Sequence, residues 1–121
     1  MQVTIPDEFL DRMAEKFRML ADPTRLAILR SLLQGEKSVG TVVEETGQGQ
    51  ANVSKHLKML AESGLVGRRK EGLQVFYAIQ DPLIESLCEI VCGSIVREAE
   101  SRVEHGRKML KTWNGRSGPK A

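Results

Sequence analysis

The middle of the chain contains two short helical patterns separated by a tight turn bounded by glycines. Ser38 is a favourable helix start and Gly47 a favourable helix end, so a short helix is predicted between them. The turn Gly47-Gln48-Gly49 leads directly into a second helix over residues 50–63. The apolar positions at helical spacing are Val39, Val42 and Val43 in the first helix and Val53, Leu57, Leu60 and Ala61 in the second. Two helices joined by so short a turn are typical of a helix-turn-helix.

Two strand-like runs follow this pair of helices. Residues 74–79, QVFYAI, are rich in the residue types that favour strands, and residues 65–69 form a second short run before them. The connection Lys70-Glu71-Gly72-Leu73 carries a glycine, which suits the tight turn of a β-hairpin. A hairpin directly after a helix-turn-helix predicts the winged form of that motif.

Three further helices are predicted outside this region. Asp22 as N-cap with Pro23 at the first helical position predicts a helix that stops near Gly35. Asp81-Pro82 repeats this start and opens a long helix to about Lys111, while residues 7–20 form the remaining helix. The apolar stripes of the three are Phe9, Met13, Phe17 and Leu20, then Leu26, Leu29, Leu32 and Leu33, then Ile84, Leu87, Cys88, Val91, Ile95 and Ala99.

These elements predict a mainly α-helical fold with one small β-hairpin, in the order helix-helix-helix-helix-hairpin-helix. We interpret residues 1–113 as a single winged helix-turn-helix domain and residues 114–121, polar and glycine-rich, as a flexible tail. No apolar run approaches the roughly 20 residues of a membrane span, and the N-terminus lacks the features of a secretory signal. We therefore expect a cytoplasmic protein.

The positive charge of the chain is concentrated in one segment. The net charge is +2, yet residues 50–79 carry five basic against two acidic side chains, a local net charge of +3. Residues 1–49 carry six basic against eight acidic side chains, a local charge of −2. A basic surface on the second helix and the hairpin suits a polyanionic partner such as double-stranded DNA.

The polar residues of this segment have side chains suited to DNA. Gln and Asn can bond adenine edges in the major groove, Lys can contact guanine or phosphate, and Ser and His can donate to phosphate. For each residue alone, a solvated position on an amphipathic helix is an equal alternative, and His56 could instead pack between helices. The predicted DNA-binding residues are Gln50, Asn52, Ser54, Lys55, His56 and Lys58 on the helix and Arg68, Arg69, Lys70 and Gln74 on the hairpin.

Three stretches resemble the ArsR/SmtB family of bacterial winged-helix repressors: LADPTRLAILRSLL, QANVSKHLKMLAESGLVGRRKEGLQVFYAI and DPLIESLC. The resemblance covers residues 9–100, in order and without large gaps. It implies a homodimer built from the first and last helices, with two recognition helices reading the half-sites of a palindromic operator. It also implies repression that is relieved when an inducer binds, often a metal ion or a thiol-reactive species.

The chain departs from the family's usual metal ligands. The Cys-Val-Cys that arsenic and cadmium sensors often carry on the third helix is missing from residues 37–42. Asp81 matches the first ligand of the zinc and nickel sensors, but Leu83, Ser94 and Arg97 stand where the other ligands would be. The resemblance therefore predicts no zinc site of that kind.

The two cysteines, Cys88 and Cys92, lie one helical turn apart on the last helix. Both sulfurs can reach one soft ion, and two such pairs across a two-fold axis would bring four thiols together. The only cofactor that the sequence suggests is thus a soft metal or metalloid at this pair, which could also meet sulfide, persulfide or an oxidant. Packing is the alternative, because free cysteine often behaves as a small buried hydrophobe.

An enzyme is not predicted. The only two histidines lie on separate helices, and no arrangement of nucleophile, base and orienting carboxylate is legible. A thiol enzyme or a metal-buffering protein is the remote alternative to a DNA-binding regulator.

Overall fold

The computed structural model describes residues 2–113 and divides the chain into two compact units, the first ending at Ile84 and the second beginning at Glu85. We describe each unit by itself. The elements are α1 (Asp7–Leu20), α2 (Pro23–Leu32), β1 (Lys37–Ser38), α3 (Val39–Thr46), α4 (Gln50–Glu62), β2 (Val66–Glu71), β3 (Gln74–Ile79) and α5 (Leu83–Trp113). All five predicted helices and the hairpin are confirmed within one or two residues. The single-domain interpretation of residues 1–113 stays a prediction, and the proposed tail at 114–121 lies outside the described residues.

The predicted helix starts are confirmed by their hydrogen bonds. The Asp22 carboxylate accepts the backbone N–H of Arg25 at 2.9 Å, at the start of α2. The Ser38 hydroxyl accepts the N–H of Thr41 at 3.2 Å, at the start of α3. Each cap satisfies an N–H group that the first helical turn leaves without a backbone partner. Gly47 ends α3 in the left-handed conformation, with φ of 69°, as a glycine C-cap does.

The buried face of α2 differs from the predicted stripe. Leu26 and Leu33 were expected to face inward, but they remain 43% and 39% exposed. Ile28 is fully buried instead, together with Leu29 and Leu32. Leucines at spacings of three and four permit two overlapping faces on one helix, and packing against α3 and α4 selects the face centred on Ile28.

The sheet has three antiparallel strands in the order β1-β3-β2. The two-residue strand β1 was not predicted, because so short a strand leaves no alternating pattern in the sequence. The hairpin is longer than predicted, since β2 runs to Glu71 and only Gly72 and Leu73 connect the strands. Gly72 has φ of 62°, which a two-residue hairpin loop with glycine at its first position requires.

The core of the first unit lies beneath α4 and the hairpin. On α4, Val53, Leu57 and Leu60 are fully buried, and burying each contributes about 1.5–3 kcal/mol. They pack in a core with buried residues from the other elements: Ile28, Leu29, Leu32, Val42, Leu65, Val66, Tyr77 and Ile84. Since one face of α4 is committed to this core, its polar face is turned to solvent.

In the second unit, the described residues 85–113 belong to the helix α5. Its exposed apolar side chains include Ile90, Val91, Ile95 and Val96. In the first unit, α1 likewise exposes Phe9, Leu10 and Phe17. Among residues 2–113, no helix has the length and apolar character needed to cross a membrane.

Candidate nucleic-acid interface

The outward face of α4 carries most of the predicted DNA-binding residues. Gln50, Asn52, Lys55 and Lys58 are exposed, and Ser54 is half-buried beside them. Because Val53, Leu57 and Leu60 pack in the core, Asn52, Lys55 and Lys58 on the opposite side of α4 point away from the protein, and Gln50 is exposed at the first residue of the helix. The structure thus presents Asn52, Lys55 and Lys58 on one helix face and Gln50 at the N-terminus of the same helix.

An open groove runs between α4 and the hairpin. Lys55, Lys58 and Arg68 line it together with Ser54, so that cations from both elements share one surface. Its remaining lining residues are Val39, Ala51, Met59, Glu62, Val75 and Tyr77. The groove combines an apolar floor with a basic rim, a combination that favours a polyanion at the rim.

The register of the hairpin sorts its polar residues onto two faces. Arg68 is directly opposite Tyr77, and Lys70 is opposite Val75; both partners line the groove. Residues directly opposite each other in an antiparallel pair share a face, so Arg68 and Lys70 lie on the side of α4. The same rule puts Arg69 on the other face with Phe76, and Gln74 with Glu71. The hairpin therefore does not bring all four predicted residues to one surface.

Arg69 is occupied by interactions within the protein. Its guanidinium donates to both carboxylate oxygens of Glu36, at 2.8 and 3.1 Å, and also pairs with Glu71. It lies over the ring of Phe76, 4.7 Å from the centroid. The hydrogen bonds that Arg69 donates to Glu36 and Glu71 raise the pKa of Arg69, and those to Glu36 lower the pKa of that carboxyl group. Sequence reasoning missed Glu36, which lies 33 residues from Arg69.

His56 faces the interior of the first unit. Its Nδ1 lies 3.3 Å from Nη1 of Arg25. Arg25 is buried and also donates to the carbonyl oxygens of Met19, at 2.7 Å, and Arg18, at 3.0 Å. This geometry favours the helix-packing alternative for His56, because its ring bridges α4 to the residue that holds the end of α1.

Gln48 extends the outward face and was not predicted. It lies in the turn before α4, where its side-chain oxygen accepts a hydrogen bond from the amide of Asn52 at 3.4 Å. Its own backbone N–H donates to the Thr46 hydroxyl. The sequence signal for Gln48 was its position four residues before Asn52, a candidate base-reading residue. It was missed because Gln48 lies in the predicted turn and not on the predicted helix.

The cysteine pair lies on α5, with Cys88 half-buried and Cys92 exposed. Burial raises the pKa of the Cys88 thiol, and the neighbouring Cys92 raises it further. Within residues 2–113, no group of three or more His, Cys, Asp or Glu side chains comes close enough together to hold a metal. The two thiols therefore supply two ligands, and any soft ion bound there needs further ligands from elsewhere.

Comparison with known families gives a match over residues 22–67 to the model described as bacterial regulatory protein, arsR family. A probable mercury resistance operon repressor from Streptomyces lividans is 40% identical over 83 residues. The aligned region is 69% of this chain and 66% of that protein, just under two thirds of its length. The HTH-type transcriptional repressor SmtB of Mycobacterium tuberculosis is 33% identical over 98 residues, which are 81% of this chain and 70% of that repressor.

Solved structures of similar proteins have the same fold. The homodimeric winged helix-turn-helix DNA-binding domain of Mb0332 from Mycobacterium bovis, a possible ArsR-family regulator, superposes with a TM-score of 0.64 at 31% identity. That match covers 80% of this chain and 91% of the other. The antimony-specific transcriptional repressor AntR superposes with a TM-score of 0.73 at 26% identity, covering 83% of this chain and 90% of that one.

Proposed function

The chain belongs to the ArsR/SmtB family of winged helix-turn-helix transcriptional regulators, and on this premise we propose that it is a homodimeric, DNA-binding repressor of a palindromic operator. A soft metal, a metalloid or a thiol-reactive species releases it from DNA. The family consists of regulators, so the chain is not an enzyme. The proposed place of action is the cytoplasm, where bacterial operator DNA lies.

The observation that carries this proposal is the shared basic face of α4 and the hairpin. With α4 in the major groove, Gln50 and Asn52 at its beginning meet base edges, where amide side chains pair with adenine. Three cations line the protein's own groove between α4 and the hairpin and neutralise DNA phosphates: Lys55, Lys58 and Arg68. Ser54 donates its hydroxyl to the backbone, which sets register without reading sequence.

Dimerisation is supported by the exposed apolar residues of α1 and of α5. Large apolar side chains such as Phe9, Phe17 and Ile95 are each more than half exposed in the isolated chain. Covering them in a second copy removes that apolar area from water. The related Mb0332 domain is described as homodimeric. A two-fold dimer presents two α4 helices to half-sites about 34 Å apart, one turn of DNA.

The inducer is proposed to bind at Cys88 and Cys92. Thiolates select soft ions, and two of the similar regulators are described by mercury resistance and by antimony specificity, both thiophilic elements. Two thiols of one chain fall short of a complete site, so the remaining ligands come from the second protomer. Displacing α5 changes the spacing between the α4 helices of the two protomers and so weakens operator binding.

A second candidate keeps DNA binding and removes the thiol sensor. The half-burial of Cys88 and its raised pKa favour this alternative, because a thiol with a raised pKa supplies less of the reactive thiolate. Both cysteines are then packing residues, and another signal or a protein partner controls the regulator.

Two experiments test these proposals. The first measures binding to palindromes from the DNA upstream of the chain's own gene by fluorescence anisotropy, with scrambled duplexes as control. We expect a preference of about 10³-fold or more at physiological salt, and equal affinities would refute operator recognition.

The second experiment compares the wild-type protein with C88S, C92S and the double variant on the bound operator. Mercuric ion, arsenite, antimonite and polysulfide are added in turn, and release is followed by anisotropy. Release of the wild type that is lost in the double variant supports the thiol sensor. Unchanged release in the double variant assigns both cysteines to packing.

A further inference from the structure

We propose that Arg69 is a positioning residue of the wing, which orients the hairpin through Glu36 and leaves phosphate contact to Arg68 and Lys70. This inference rests on the proposed DNA binding and divides three neighbouring cations into two different roles. The wing, here residues 66–79, carries these three as its only basic side chains.

The partners of Arg69 make it a poor phosphate ligand. Two carboxylates hold its guanidinium, Glu36 through two hydrogen bonds and Glu71 through an ion pair. The three charges sum to −1, so a phosphate that approaches this cluster meets net negative charge. The register also puts Arg69 on the hairpin face opposite the groove that Lys55 and Lys58 line.

The anchor of this interaction is itself held in place. Glu36 immediately precedes β1, whose Lys37 is paired with Tyr77 of β3. The Lys37 ammonium, in turn, bonds both oxygens of Glu45 on α3, at 2.6 and 2.8 Å. A continuous chain of interactions therefore joins the wing to the helix that precedes α4.

This connection has a consequence for DNA binding. The distance from Arg68 and Lys70 to the lysines of α4 depends on the angle of the wing, and phosphates are regularly spaced along the duplex. Fixing that angle in the free protein removes an ordering cost that binding would otherwise carry. Arg69 thus acts on affinity through geometry.

The test is the salt dependence of operator binding for R68Q, R69Q and E36Q beside the wild type. Each phosphate contact contributes about −0.9 to the slope of log K against log salt concentration, so R68Q should flatten the slope by about 1. R69Q should keep the wild-type slope and lose about two- to fivefold in affinity at every salt concentration, the scale of one surface ion pair.

E36Q distinguishes most clearly between the two alternative roles of Arg69, wing positioning and phosphate contact. If Arg69 positions the wing, E36Q weakens binding as R69Q does, and the double variant E36Q/R69Q is no weaker than either single variant. If Arg69 is a phosphate contact, E36Q frees its charge and tightens binding. A tighter E36Q, or an R69Q slope that flattens as for R68Q, would overturn the inference.

Hydrogen exchange gives a readout that is independent of DNA. In the free protein, amides of residues 66–79 should exchange faster in both R69Q and E36Q than in the wild type, and not in R68Q. Unchanged exchange in R69Q and E36Q also refutes the positioning role. A wild-type protein that does not prefer its operator would instead refute the proposed function, and the exchange measurement would still decide the role of Arg69.

Discussion

Arg25 illustrates how much one buried side chain can hold together. Arg25 lies in the first turn of α2. Its guanidinium donates hydrogen bonds to two carbonyl oxygens at the end of α1 and lies within hydrogen-bond distance of His56 on α4. The last carbonyl groups of a helix have no partner within the helix. A cation there donates hydrogen bonds to them and interacts favourably with the negative end of the helix dipole. Three helices therefore depend on one residue.

We predict that R25M destabilises the protein by about 2–4 kcal/mol, because it leaves the carbonyl oxygens of Met19 and Arg18 without this donor. Urea denaturation followed by circular dichroism measures the loss. R30M is the matched control, since Arg30 is exposed on the same helix and should change stability by less than about 0.5 kcal/mol. Equal losses in the two variants would contradict the role of Arg25.

At the cysteine pair, we predict that Cys92 reacts with iodoacetamide at pH 7 roughly fivefold or more faster than Cys88. Cys92 is exposed, whereas Cys88 is half-buried with a raised thiol pKa that lowers its reactive thiolate fraction. Quantitative mass spectrometry of the alkylated peptides measures both rates in one sample. The Cys88 rate should still be rising above pH 9, and a plateau below that pH would contradict the raised pKa.

At the level of elements, side-chain caps mark the starts of three helices, α2, α3 and α5. The Asp81 carboxylate accepts a hydrogen bond from the backbone N–H of Leu83 at 2.9 Å, at the start of α5. It also forms an ion pair with the Lys16 ammonium of α1 at 3.1 Å. The hydrogen bond from Leu83 and then that from Lys16 lower the pKa of this carboxyl. One side chain therefore caps one helix and joins it to another.

For this cap we predict a pH-dependent effect of D81N. A carboxyl with a lowered pKa stabilises the fold above its unfolded value, about 3.9, and that contribution is lost as the pH falls through the folded pKa. D81N should therefore cost about 0.5–1 kcal/mol at pH 7, and the difference from the wild type should shrink below pH 4. Thermal unfolding at both pH values measures it.

The control for this prediction is D11N, which removes a carboxylate from the exposed surface of α1. Its effect on stability should be small at both pH values. A D81N effect that stays constant from pH 7 to pH 3 would show that the charge of Asp81 does not contribute.

At the scale of the whole molecule, the proposed tasks fall on different units of the chain. The first unit carries the basic face of α4 and the wing, while the second carries the cysteine pair and a helix with exposed apolar side chains. A lone helix with such side chains cannot bury them itself. A second copy of the chain is the partner that we propose, as in the similar Mb0332 domain, which is described as homodimeric.

We predict that I95D shifts the protein from dimer to monomer. Ile95 is 58% exposed, and a two-fold interface would bury it twice, so the charge should weaken dimerisation by at least about 3 kcal/mol. Analytical ultracentrifugation over a concentration series measures the change. V3D, an aspartate at an exposed apolar position outside the helices, should leave the dimer intact. An I95D protein that stays dimeric would exclude this part of α5 from the interface.

The local features of the molecule follow from the sequence alone. The helix starts at Asp22, Ser38 and Asp81 and the turn at Gly47 were all predictable, because each depends on bonds within four residues. The buried face of α4 was predictable for a related reason, since only one stripe of its residues is apolar.

Long-range packing and pairing select which of several similar side chains is buried or bonded. Ile28 is buried, whereas Leu26 and Leu33 are partly exposed. The helical periodicity of α2 is compatible with either apolar face, and packing against neighbouring helices determines which one is buried. The tertiary structure also pairs Arg69 with Glu36 and His56 with Arg25, across 33 and 31 residues. Local patterns identify a basic hairpin, but only the register of its strands and the residues packed beside it determine which cations remain free for DNA.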